Sequence, residues 1–238
     1  MPDFAQRLAE VRQRIHDAEA AHARTTDSVT LLAVSKTFGA DAVRALYDAG
    51  QRAFGENYVQ EALDKIAELG ALRATLQWHF IGPLQSNKTR AVAEQFDWVH
   101  TVDRLKIAER LDAQRPAGLP PLNVCVQVNI SGEASKHGVA PRQAAALAHA
   151  VAALPRLRLR GLMAIPEASG DFAAQRAPHR ALHQLFEALR SEGLALDTLS
   201  AGMSADLEAA IAEGATLVRV GTALFGARHY AHSAPSGT

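Results

Sequence analysis

The feature that most constrains this chain is its alternation. Short apolar runs rich in β-formers recur, and each is followed by a segment whose apolar residues have helical spacing. The opening segment carries Phe4, Leu8, Val11 and Ile15 with charges between them, and Asp3 can cap it as a helix. Strands are then predicted over 29–34, 52–54, 77–81, 98–102, 123–129, 159–164, 198–201 and 217–220. Helices are predicted over 42–49, 58–69, 88–95, 105–114, 142–153, 174–191 and 207–213. Strand–helix alternation implies parallel strands joined by crossovers, and eight such units close naturally into a barrel. The expected fold is therefore α/β: a single (β/α)8 TIM barrel with an extra N-terminal helix. It is expected to span 1–238 as one domain, with 233–238 as a flexible tail. A doubly wound open sheet is the runner-up. Its dinucleotide-binding version is weakened because no Gly-x-Gly-x-x-Gly element follows the first strand.

Composition narrows the function classes. The 238 residues are 48% apolar, enough for one substantial core. Lysine and arginine number 25 against 25 acidic residues, which argues against a nucleic-acid partner, because such partners select a basic footprint. The single cysteine, Cys125, can form no internal disulfide and lies in the apolar run 124–126, so it reads as a small buried hydrophobe. The N-terminus has no apolar signal core, and no stretch is long enough to cross a bilayer. The chain is accordingly expected to be soluble and cytoplasmic, with no membrane partner.

Barrel active sites gather at the carboxyl ends of the strands. The first strand ends in Ser35-Lys36-Thr37, the second in Gly55-Glu56-Asn57, and the sixth in Pro166-Glu167. The seventh ends in the run Ser200-Ala201-Gly202-Met203-Ser204, and the eighth carries Arg219 before Gly221-Thr222. Two readings of Lys36 stand at this point. It is either a lysine that reaches solvent at the barrel mouth, or a desolvated amine with a lowered pKa that condenses with an aldehyde. The last two loops favour the second. Phosphate sites in barrels are often built after strands seven and eight, and both loops here offer glycine, hydroxyls and a helix start, with Ser204 expected at an N-cap. Arg219 alternates with Val218 and Val220. It is either half of an ion pair or a guanidinium donating to a ring nitrogen, and the latter would keep that nitrogen unprotonated.

At these residues the sequence resembles the pyridoxal phosphate homeostasis protein family, whose fold is similar to the barrel domain of alanine racemase. The matching stretches are 32–37 (LAVSKT), 54–61 (FGENYVQE), 78–88 (WHFIGPLQSNK), 161–166 (GLMAIP), 200–211 (SAGMSADLEAAI) and 218–226 (VRVGTALFG). The resemblance implies pyridoxal 5′-phosphate (PLP) as cofactor, held by Lys36 as a Schiff base for storage or delivery. It implies that Ser200, Met203, Ser204, Gly221 and Thr222 surround the phosphate and that Arg219 faces the ring nitrogen. Asn57 and His79 would line the pocket, although His79 reads equally well as a buried, hydrogen-bonded core residue. The departures are Phe38-Gly39, where the family often has a more polar or proline-containing turn, and Ala201, which replaces a commonly larger residue.

A non-catalytic carrier and a PLP-dependent racemase or decarboxylase compete for this pattern. Racemisation needs two acid–base groups on opposite faces of the substrate carbon. The barrel is expected to finish near Phe225-Gly226, and the twelve residues after it are too few for the second domain that supplies the opposite group in racemases. Tyr47 falls on an outer helix and Tyr230 in the tail, so Tyr58 is the one candidate left for that role. The expectation is a monomeric carrier serving PLP and apo PLP-dependent enzymes. A phosphate-binding isomerase would instead use Glu56 or Glu167 as its base. Lys136 reads as a solvated loop lysine, with a second aldehyde-capture point as the alternative.

Overall fold

Parallel strands buried on both faces read as continuous apolar runs rather than alternating ones. That is the pattern of β1 (Thr30–Val34), β2 (Ala53–Glu56), β3 (Gln77–Phe80), β4 (Trp98–Val102), β5 (Leu122–Gln127), β6 (Leu157–Met163), β7 (Thr198–Met203) and β8 (Leu217–Val220). A computed structural model describes residues 3–133 and 137–226. In it the eight strands pair in sequence order, all parallel, into a closed barrel. Closure is the β1–β8 pairing, which sets Leu32 opposite Arg219. The expected fold class is therefore the one observed.

The barrel wraps around small interior clusters: Leu32, Val34, Ala53, Ile81 and Leu217 form one, and Trp98, Cys125 and Met163 another. Val218 and Val220 belong to the larger outer core between strands and helices, so Leu217 and Arg219 face inward, as period-two alternation requires. Cys125 is fully buried, and burial pushes its thiol up to about 12, which makes it an inert core residue.

Helices α2 (Ala40–Asp48), α3 (Val59–Glu68), α4 (Thr89–Gln95), α5 (Leu105–Gln114), α6 (Pro141–Ala152), α7 (Phe172–Ser191), α8 (Leu207–Ala212) and α9 (Thr222–Phe225) cover the outside. The extra helix α1 (Phe4–Ala21) buries Leu8, Val11, Ile15 and Ala18 and packs against α8, α9 and α2. Asp3 caps it by accepting from the Gln6 N–H at 2.9 Å. Buried Glu19 ties α1 to the entry of β1 by accepting from Asp27 N–H, Ser28 Oγ and Val29 N–H. Among the described residues, no helix is long and apolar enough to cross a membrane.

Boundaries moved where side-chain chemistry overrode the apolar pattern. β2 runs on to Glu56 because a lysine neutralises that buried carboxylate, and β7 runs on to Met203 through Gly202, whose φ is +90°. α7 begins two residues before its predicted start because Asp171 caps it, accepting from the Ala174 N–H at 2.7 Å. Tyr230, Lys136 and the tail 233–238 lie outside the described residues.

Candidate functional site

The carboxyl ends of β1, β7 and β8 surround a cleft of about 270 Å³. Its lining includes Lys36, Asn57, Met203, Ser204, Arg219, Gly221 and Thr222, seven of the sequence-predicted site residues. Lys36 is half-buried and shares the cleft wall with Ser204 and Thr222. Phe38 lines the same cleft and stacks on Phe225 of α9 with ring centroids 4.8 Å apart. The departure at Phe38 thus joins the turn after β1 to the helix after β8.

The proposed anion cradle is formed by the β7–α8 turn and the start of α9. Gly221 is the N-cap of α9 and Thr222 its first residue, where N–H groups have no intrahelical partner. Ser204 was expected at an N-cap and is not there. Because β7 continues to Met203, α8 starts later, with Asp206 in the cap position. Asp206 reaches back instead, accepting the Met203 N–H on Oδ1 at 2.7 Å and meeting His179 Nε2 on Oδ2 at 2.9 Å. Burial works to raise the Asp206 carboxyl, but the His179 and Met203 bonds hold it below the usual range. From the other side, Arg14 of α1 donates to the Ser204 carbonyl at 3.0 Å and pairs with Glu208. The turn is thus held from two helices.

Two further predicted residues stand deeper in the barrel. Ser200 and His79 are absent from the cleft lining; both are buried inside the barrel. Ser200 faces inward on β7, where its hydroxyl lies 2.8 Å from His100 Nδ1 and accepts from Arg219 Nη1 at 2.8 Å. His79 is stacked on Trp98 and lies 2.9 Å from His100 Nε2 through its Nδ1. It plays the core role that was its alternative reading. Burial pushes His79 down to about 3 and His100 well below the ordinary histidine range, so both imidazoles are neutral at physiological pH.

Arg219 is not half of an ion pair among the described residues. Its Nη1 donates to the Ser200 carbonyl at 2.7 Å as well as to the hydroxyl, and its Nη2 to the Ala164 carbonyl at 2.8 Å. Those bonds use three of its five N–H groups and leave the rest for the cleft it lines. Burial lowers its pKa to about 10, still well above neutrality, so it remains a cation. In the same cleft wall, Asn57 Oδ1 is buried without a partner among the described residues. An orphaned amide, a fixed guanidinium, a half-buried amine and a cradle of small residues fit a planar polar ring that carries a phosphate and an aldehyde.

Sequence reading missed the polar frame behind these residues. Lys65 on α3 is buried and bonds Glu56 at 2.7 Å and Glu61 at 2.6 Å. Its i,i+4 spacing from Glu61, on the face that also buries Ala62 and Ile66, was the available signal. His100 could have been found from Trp98 and His100 sharing the inward face of β4. Glu56 is committed to this frame; burial raises its pKa against the opposing pull of Lys65. Glu167 is exposed, and neither glutamate lines the cleft, so neither is the base an isomerase would need there. Tyr58 is 56% exposed and also lies outside the lining.

A closed barrel of eight parallel strands, with a lysine at the end of its first strand and a cleft reaching the ends of its last two, is the architecture of the alanine racemase barrel class. The family profile for the alanine racemase N-terminal domain matches residues 7–229. Curated relatives include the pyridoxal phosphate homeostasis proteins of Pseudomonas aeruginosa, 64% identical over 97% of this chain and 98% of the relative, and of Escherichia coli K12, 57% identical over 97% and 99%. Among solved structures, PipY of Synechococcus elongatus with PLP bound matches at a TM-score of 0.81 and 40% identity, over 94% of this chain and 100% of that one. The chain belongs to the pyridoxal phosphate homeostasis protein family.

Proposed function

We propose that this barrel binds PLP through Lys36 and holds it for storage or delivery, as one PLP-binding unit, rather than turning over amino acids. PLP supplies an aldehyde that condenses reversibly with an amine, together with a phosphate dianion. Lys36 is the amine at the cleft wall. The first turn of α9 and the Met203–Ala205 turn receive the phosphate, with Ser204 and Thr222 contributing hydroxyls. Arg219, fixed by its three bonds, donates to the ring nitrogen and keeps it unprotonated. Asn57 offers its unpartnered amide to a ring substituent.

The observation that carries the non-catalytic part is the chemistry of the lining. Apart from Lys36 and Arg219, the cleft is lined among the described residues by apolar side chains, one amide, two hydroxyls and glycines. Among the described residues that line it, none is a carboxylate, imidazole, phenol or thiol that could serve beside Lys36 as a second acid–base group. The relatives' naming as homeostasis proteins, and the PipY structure with PLP, support the cofactor and the role. Apo forms of PLP-dependent enzymes are the recipients this reading implies.

The test is direct. Loaded protein should show visible absorbance that borohydride bleaches, and peptide mass mapping should then locate the fixed cofactor on Lys36. The same preparation, given amino acids, should neither interconvert enantiomers nor release carbon dioxide faster than free PLP. Cofactor fixed elsewhere, or turnover well above that background, overturns the reading.

A further inference from the structure

Both peptide groups that flank Lys36 are gripped by one turn of α3. Lys65 Nζ donates to the Ser35 carbonyl at 2.8 Å, and Glu61 Oε1 accepts the Thr37 N–H at 2.6 Å. Glu61 and Lys65 also bond each other, and Glu56 anchors Lys65 from β2 while accepting the Ser35 hydroxyl at 2.6 Å. The grip falls where the backbone needs it. Thr37 has a φ of +69°, a left-handed conformation that is an outlier for a β-branched residue. Such conformations persist only where the surroundings over-determine them, and they cluster at functional sites.

The chemistry of the grip argues against simple packing. The Glu56 carboxylate and the Lys65 ammonium are costly to bury, and well-packed apolar residues of similar volume often stabilise a fold at least as well. Lys65 commits all three of its donors, so it is no rival amine for an aldehyde. We propose that Glu61 and Lys65 are positioning residues that fix the backbone at 35–37 so that Lys36 presents its amine to the cleft. This role rests on the reading of Lys36 as the amine that takes up the aldehyde.

The test compares two ligands on the full chain. One is PLP, read as the borohydride-fixed fraction at Lys36 against cofactor concentration. The other is pyridoxine 5′-phosphate, which has the same ring and phosphate but no aldehyde, so it reports the cleft without the amine. Glu61→Ala should weaken PLP loading about tenfold, since small misplacement of a reacting group is expensive. Pyridoxine 5′-phosphate binding should stay within about twofold of wild type, the change expected when the other contacts are untouched. Glu61→Gln, which keeps an acceptor for the Thr37 N–H, should recover most of the loading. Thr37→Gly in the Glu61→Ala background should do the same, because glycine adopts positive φ without strain. Equal weakening of both ligands, or wild-type loading in Glu61→Ala, overturns the proposal. If Glu61→Ala does not fold, hydrogen exchange at the Thr37 amide of the wild type decides: slow exchange at this exposed residue supports the grip, and fast exchange overturns it. Wild-type protein that fixes no cofactor on Lys36 would overturn the proposed function itself, and this role with it.

Discussion

Arg219 donates through one nitrogen, Nη1, to both the carbonyl and the hydroxyl oxygen of Ser200. Arginine can only donate, so the Ser200 oxygen accepts from it, and that same oxygen lies 2.8 Å from His100 Nδ1. His100 Nε2 in turn lies 2.9 Å from His79 Nδ1, and His79 Nε2 is buried without a partner among the described residues. One permanent cation at the cleft is thereby linked, through one hydroxyl, to two imidazoles deep in the barrel.

Ser200→Ala should break this chain in the middle. It removes an acceptor from Arg219 and a hydrogen-bond partner from His100, both buried, at a cost of about 1–3 kcal/mol. Urea denaturation with an unchanged m-value would register the loss. The absorbance of the loaded protein should shift as well, because Arg219 loses one of the bonds that aims it. An unperturbed spectrum would separate Ser200 from the cleft.

The two histidines predict an acid-labile window. Their folded-state pKa values lie below the ordinary value of 6.5, with His79 at about 3. As pH falls below about 6.5 the unfolded chain gains protons that the native state refuses, so stability is full above that pH and lost below it. Each histidine contributes a slope of about 1.4 kcal/mol per pH unit. Glu56, raised by burial, works in the opposite direction and offsets part of this. A net loss of about 1–3 kcal/mol per unit is expected between pH 6 and 5 from these protons. His100→Asn should flatten it. Equal unfolding free energies at pH 6.5 and 5 would contradict neutral, buried imidazoles.

Lys36→Ala should abolish borohydride-fixed PLP with little effect on the fold. Lys36 is half-buried at a strand end, so its truncation should cost no more than about 1 kcal/mol. Thermal unfolding and peptide mapping on the same preparation check both halves. A large drop in melting temperature would recast Lys36 as a structural residue.

Much of the fold was legible because barrel strands announce themselves as apolar runs, and the cleft residues Lys36, Arg219, Gly221 and Thr222 because strand ends localise chemistry in this architecture. What stayed hidden depended on where a polar residue finds its partner. Ser200 looked like part of a phosphate loop, yet β7 continues past it and turns it inward to His100. Ser204 looked like a cap, and Asp206 took that position. Nothing in the pattern of α3 tells that Lys65 meets Glu56, nine positions away in sequence and on another element. Periodicity reports which face a residue occupies, but not which distant group will neutralise it.

Gly82 tests the placement of Asn57. A Cβ at position 82 would overlap the Asn57 backbone carbonyl, and its contact atoms there are backbone rather than a flexible side-chain end. The strand ends of β2 and β3 can therefore sit together only with glycine at this point. Gly82→Ala must push Asn57 outward, and overpacking of this kind costs about 1–3 kcal/mol. The displacement carries the orphaned Asn57 amide away from the cleft, so affinity for pyridoxine 5′-phosphate should fall together with stability. Asn57→Ala should lower the same affinity while sparing the fold, since Asn57 Oδ1 has no partner to lose among the described residues. Comparable melting temperatures for Gly82→Ala and wild type would mean that the β2 and β3 ends have room to separate, and that Asn57 is not held by this contact.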